Sequence, residues 1–75
     1  MKNRFVVGNY QIEYCSVQCQ TAFRARVSVR LKRRHEEARV VTYIYFSEFD
    51  SAETALAEAR WQAERVKARP SAHLH

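Results

Sequence analysis

Between Phe23 and Lys32, apolar and polar residues alternate without a break. Phe23, Ala25, Val27, Val29 and Leu31 share one parity; Arg24, Arg26, Ser28, Arg30 and Lys32 share the other. A period of two predicts a strand with one buried and one wet face. Residues 39–47 predict a second strand, rich in β-branched and aromatic side chains. Val40, Thr42, Ile44 and Phe46 suit its core side, which leaves Val41, Tyr43 and Tyr45 outside. The polar segment KRRHEEA between the two strands reads as a long hairpin turn. An earlier strand runs from about Tyr10 to Gln18, after the turn signal Gly8-Asn9. Tyr10, Ile12 and Tyr14 point inward there, yet Cys15 and Val17 occupy the opposite parity, which implies either a bulge or an apolar patch on the outer face. The link Cys19-Gln20-Thr21-Ala22 is short enough for another hairpin.

From Ser51 the period changes. Asp50 or Ser51 can cap a first helical turn, and the run SAETALAEARWQAERVKAR is rich in strong helix formers. At 100° per residue, Ala52, Ala55, Leu56, Ala59, Ala63 and Val66 form one stripe. The stripe is apolar but small, so the helix can lie close to a sheet. Pro70 ends the helix, and residues 70–75 are expected to form a flexible tail. The expected fold is α+β: a three-stranded antiparallel meander packed on one C-terminal helix, βββα, forming a single domain over residues 1–69.

Charge changes the picture on the uncovered face. The chain has 13 Lys and Arg against eight Asp and Glu, a formal net charge of +5. Arg24, Arg26, Arg30, Lys32, Arg33, Arg34 and Arg39, offset by Glu36 and Glu37, account for all of it. A trial register places Lys32 opposite Arg39, Arg30 opposite Val41, Ser28 opposite Tyr43 and Arg26 opposite Tyr45. The open face would then carry a cationic middle strand beside two tyrosines, with Gln11, Glu13, Cys15 and Val17 on the far side. Cations can neutralise phosphates and tyrosines can stack on bases. The same face could hold an acidic protein, or a second copy of the chain anchored by Tyr43, Tyr45 and Val41. A blander reading makes the arginines the wet side of a small sheet, their stems lying over the tyrosine rings. The candidate contact residues are Arg24, Arg26, Arg30, Lys32, Tyr43, Tyr45 and Trp61. Trp61 points away from the small-residue stripe, near Arg65. An exposed indole would be a second contact site, whereas a tilted helix would tuck it against a sheet edge, the reading that aromatic burial favours.

Other chemistry is sparse. There is no phosphate-binding glycine loop and no HExxH pair, Cys15 has no nearby candidate base, and His35 lies in a turn beside Glu36 and Glu37 with no pocket implied, so catalysis, a cofactor and a small-molecule substrate are not expected. Cys15 and Cys19 lack a second ligand pair for zinc. In one extended strand they would stand about 13 Å apart, too far for a disulfide, so they read as free thiols. No apolar run is long enough to span a membrane and the first residues lack a signal-peptide core, which places the chain in the cytoplasm.

Gly8, Tyr10 and Ile12, then Ala25 and Val27, then Phe49, Ser51 and Ala55 form a further pattern. In these residues the chain resembles a family of small uncharacterised bacterial domains, with a Gly-x-Tyr-x-Ile first strand, an Ala-x-Val second strand and a Phe-x-Ser/Thr helix start. The resemblance spans residues 8 to about 68. The charged second hairpin is longer here, and Asn9 follows the turn glycine directly. What the resemblance implies is a strand-rich domain with one helix; it carries no known activity.

Overall fold

The computed structural model describes residues 3–32 and 39–70. The KRRHEEA turn, apart from its first residue, and the tail beyond Pro70 lie outside these residues. Four strands and a helix follow in order: β1 (Arg4–Val7), β2 (Tyr10–Cys19), β3 (Ala22–Leu31), β4 (Arg39–Ile44) and α1 (Ala52–Ala68). The strands form one antiparallel sheet in chain order. The α+β class and the C-terminal helix are as expected, but the sheet has four strands rather than three.

The additional strand is β1. Gly8 and Asn9 join β1 to β2 as a two-residue turn, since Val7 pairs with Tyr10. Gly8 has φ +58°, a conformation glycine adopts without steric cost. A Gly-Asn pair flanked by apolar residues is a hairpin signal, so the preceding RFVV was legible as a strand. The β2–β3 hairpin is equally tight: Cys19 pairs with Ala22, and Gln20 takes φ 59°. Between Tyr10 and Cys19 the register is continuous, with no bulge. Cys15 and Val17 therefore form the outer apolar patch.

The helix begins where its cap allows. Ser51 is extended (φ −133°, ψ 152°), and its hydroxyl accepts the Thr54 N–H at 3.2 Å. Ala55, Ala59, Ala63 and Val66 are buried and Leu56 is partly so, the stripe read from the sequence. At the other end the Arg69 N–H donates to the Val66 carbonyl, and Pro70 follows. The alanines bring α1 down onto β2 and β3, above Ile12, Val27, Val29 and Leu31. A stripe of alanines supplies little volume. The sheet compensates with a ring of large side chains, Phe5, Tyr10, Tyr14, Tyr43 and Tyr45, around the aliphatic centre. Phe5 and Tyr14 stack with ring centroids 5.4 Å apart, and the Lys67 ammonium lies 4.8 Å from the centre of the Phe5 ring.

That ring overturns the expected facing of β4. The observed partners are Leu31 with Arg39, Arg30 with Val40, Val29 with Val41, Ser28 with Thr42, Val27 with Tyr43 and Arg26 with Ile44. The register differs by one residue from the alternating reading, so every β4 side chain changes face. Val41, Tyr43 and Tyr45 pack on the core, while Val40, Thr42 and Ile44 join the open face. Both parities of VVTYIYF are apolar, so alternation could not choose between them. Volume decides: tyrosine rings fill the space beside the alanine helix, and their hydroxyl ends can reach water at the periphery. On the open face, the Ser28 and Thr42 hydroxyls meet at 3.1 Å.

Candidate interaction face

The site is the sheet face that α1 leaves uncovered. Strand parity places Arg24, Arg26, Ser28 and Arg30 there, in the middle of the sheet, and Lys32 continues the row at its end. Gln11, Glu13, Cys15 and Val17 come from β2, Arg4 and Val6 from β1, and Val40, Thr42 and Ile44 from β4. Arg26 and Arg30 are exposed, and they stand about 13 Å apart along the strand. Their direct cross-strand neighbours are uncharged: Cys15 and Ile44 for Arg26, Gln11 and Val40 for Arg30. Glu13 lies opposite Arg4 on one side and Ser28 on the other, diagonal to both central arginines.

Arg24 differs from the rest of the row. Its guanidinium donates to the Glu48 carboxylate at 2.9 Å, and this hydrogen bond pushes its pKa further above the usual arginine value. The Arg24 Nε is buried without a hydrogen-bond partner. One of its donors is therefore committed to an intramolecular ion pair, which leaves Arg26, Arg30 and Lys32 as the cations better placed for a partner.

The remaining candidates are distributed elsewhere. Tyr43 and Tyr45 lie on the opposite side of the sheet from the arginines, among the residues packed on the core. Burial raises the Tyr45 pKa, reinforced by the neighbouring Tyr43. Neither ring can share a ligand-facing surface with Arg26 and Arg30 in this fold. Trp61 is not tucked against a sheet edge: it is 53% exposed, with the Arg65 guanidinium carbon 5.0 Å from its ring centre. It belongs to the helix side, far in topology from the arginine row. The structure thus separates the candidates into a cationic face, a tyrosine-bearing core and an isolated tryptophan.

What sequence reasoning missed is the aliphatic component of the open face. Val6, Val40 and Ile44 stand beside the cations and are 65%, 48% and 52% exposed. Parity within β1 signalled Val6; in β4, where both parities are apolar, alternation carried no signal for Val40 and Ile44. A depression of about 210 Å³ at one end of the face is lined by Val6, Gly8, Asn9, Tyr10, Gln11 and Lys32. A second, of about 290 Å³, lies between Tyr14 and the outer side of α1 near Leu56 and Arg60. Both are open. Among the described residues, no group of three or more His, Cys, Asp or Glu side chains could hold a metal ion. Cys15 and Cys19 are free thiols. No described helix is long and apolar enough to cross a membrane.

No family model, no curated protein and no solved structure matches the chain, so the resemblance to small bacterial domains rests on the residues quoted for it.

Proposed function

We propose that the protein is a non-enzymatic binding module that holds the phosphate backbone of a nucleic acid on its uncovered sheet face, in the cytoplasm. The observation that carries this reading is the pair Arg26 and Arg30, exposed at the centre of that face with uncharged cross-strand neighbours. Lys32 extends the row, and Arg4 adds a cation across β2. Counter-ion release on phosphate contact supplies affinity without base readout. With Tyr43 and Tyr45 packed on the other side of the sheet, neither offers a platform for base stacking beside Arg26 and Arg30. The interaction is therefore expected to depend on charge and to discriminate weakly among sequences.

The test is a fluorescence-anisotropy titration of labelled duplex and single-stranded oligonucleotides at two salt concentrations. If Arg26, Arg30 and Lys32 each neutralise one phosphate, duplex affinity should fall about 40-fold between 50 and 200 mM salt, and single-strand affinity about 20-fold. Arg26→Glu with Arg30→Glu should abolish binding. Binding that ignores salt or survives the double charge reversal removes the proposal. A second reading has its own support in the exposed Val6, Val40 and Ile44, which suit an apolar protein partner on the same face. Binding to such a partner should respond little to salt.

A further inference from the structure

β4 is an edge strand, and its outward-facing backbone can be assigned. The Tyr45 N–H donates to the Ala25 carbonyl at 3.0 Å, and Phe49 exchanges hydrogen bonds of 2.8 and 2.9 Å with Phe23. The odd-numbered residues of β3 therefore direct their backbone groups toward β4. In an antiparallel ladder hydrogen-bonded and non-hydrogen-bonded pairs alternate. By the observed register, Val41, Tyr43 and Tyr45 turn their backbone groups to β3, and Val40, Thr42 and Ile44 turn theirs outward. Among the described residues no strand pairs with these outward groups, which leaves a row of donors and acceptors as a template for another strand. The usual protections are weak at this edge. From Val40 to Phe46 the chain contains no charge, no proline and no glycine, and Phe46 is 90% exposed.

We infer that a second copy of this chain pairs its β4 with this β4, antiparallel about a two-fold axis at Thr42, to give a continuous eight-stranded sheet. The register follows from the backbone. The backbone restricts the hydrogen-bonded pairs to Val40, Thr42 and Ile44, and centring them gives the longest overlap: Thr42 meets Thr42 of the second copy, and Val40 meets the second copy's Ile44. The side chains agree with this register on both faces. On the open face an aliphatic pair, a hydroxyl pair and a second aliphatic pair lie in line. On the helix side Val41 meets the second copy's Tyr43, and Arg39 meets the second copy's Tyr45. No charge faces a like charge within the paired strands. The arginine rows, by contrast, lie on the two β3 strands with both β4 strands between them and do not oppose one another. Face-to-face association of two open sheets would bring those rows together, so charge favours the edge. The paired segment is short, which makes the dimer reversible and concentration-dependent rather than permanent. This inference is independent of phosphate binding, since it uses the edge and not the cationic face.

The experiment combines cross-linking with a mass measurement, in a Cys15→Ser/Cys19→Ser background. Hydrogen-bonded antiparallel partners have Cα atoms about 5.5 Å apart, within disulfide range. Thr42→Cys should therefore give a covalent dimer on mild oxidation. Val40→Cys alone should not, because its copies lie about 13 Å apart in this register. Sedimentation of the unmodified protein should show a monomer–dimer equilibrium. Thr42→Lys, at an exposed position, should leave the circular dichroism spectrum unchanged and shift that equilibrium to monomer. A monomer up to millimolar concentration, equal cross-linking of Thr42→Cys and Val40→Cys, or a dimer indifferent to Thr42→Lys would each overturn the inference.

Discussion

The seam between α1 and the sheet is the most direct place to perturb this fold. Ala55, Ala59 and Ala63 are fully buried, and the side chains beneath them, Ile12, Val27 and Val29, are buried as well. Ala59→Leu adds three carbons where the helix has no room to receive them. Overpacking of this kind costs about 1–3 kcal/mol through forced rotamers and displaced backbone. A chain of 75 residues has a total stability of about 4–11 kcal/mol, so the loss is a large share of it. For a domain of this size each kcal/mol corresponds to about 4–8 °C, and a loss of about 2 kcal/mol should lower the melting temperature by about 8–16 °C. The control is Ala57→Leu, two residues away on the exposed side of the same helix. It makes the same chemical change with the same helix propensity, and should alter stability by no more than about 0.5 kcal/mol. Urea denaturation followed by far-ultraviolet circular dichroism gives both midpoints. Equal midpoints for the two variants would mean that α1 does not sit on the sheet through its alanine stripe, and the account of the core would fail with it.

Three other outcomes follow from local geometry. Ser51→Ala removes the acceptor for the Thr54 N–H and should cost about 1 kcal/mol in urea titration, with Ser51→Asp restoring most of the loss. Gln20 holds φ 59° with a Cβ present; Gln20→Gly should stabilise the domain by about 0.5–1 kcal/mol, seen as a higher melting temperature. The raised Tyr45 pKa has a pH signature: the folded state holds the phenolic proton more tightly than the unfolded state, so its contribution is intact below pH 10.0 and is lost as pH rises from there toward the raised value. Comparing urea midpoints at about pH 8 and about pH 11, Tyr45→Phe should show a smaller alkaline loss than the unmodified protein.

Much of the fold is legible in the sequence, and the reasons differ by element. β3 could be read because its two parities differ sharply, aliphatic against cationic, so burial has one solution. The helix could be read because a serine cap, a run of helix formers and Pro70 bracket a stripe with a period of 3.6. Arg26 and Arg30 followed from β3, since the parity that buries Val27 and Val29 must expose them. β1 is too short for periodicity to reveal it, and the Gly8-Asn9 turn that serves it is its mark in the sequence. β4 could not be faced from sequence. Val40, Thr42 and Ile44 are as plausible in a core as Val41, Tyr43 and Tyr45 when only hydropathy is weighed. Tertiary structure settled that register, because an alanine helix needs bulky partners and tyrosine rings supply the volume. With it went the site's composition: the tyrosines moved to the core side, and Val40 and Ile44 came out beside the arginines. Local pattern determined the strands, the helix and the cationic row. Packing volume, a property of elements already assembled, decided which side chains share a surface with that row.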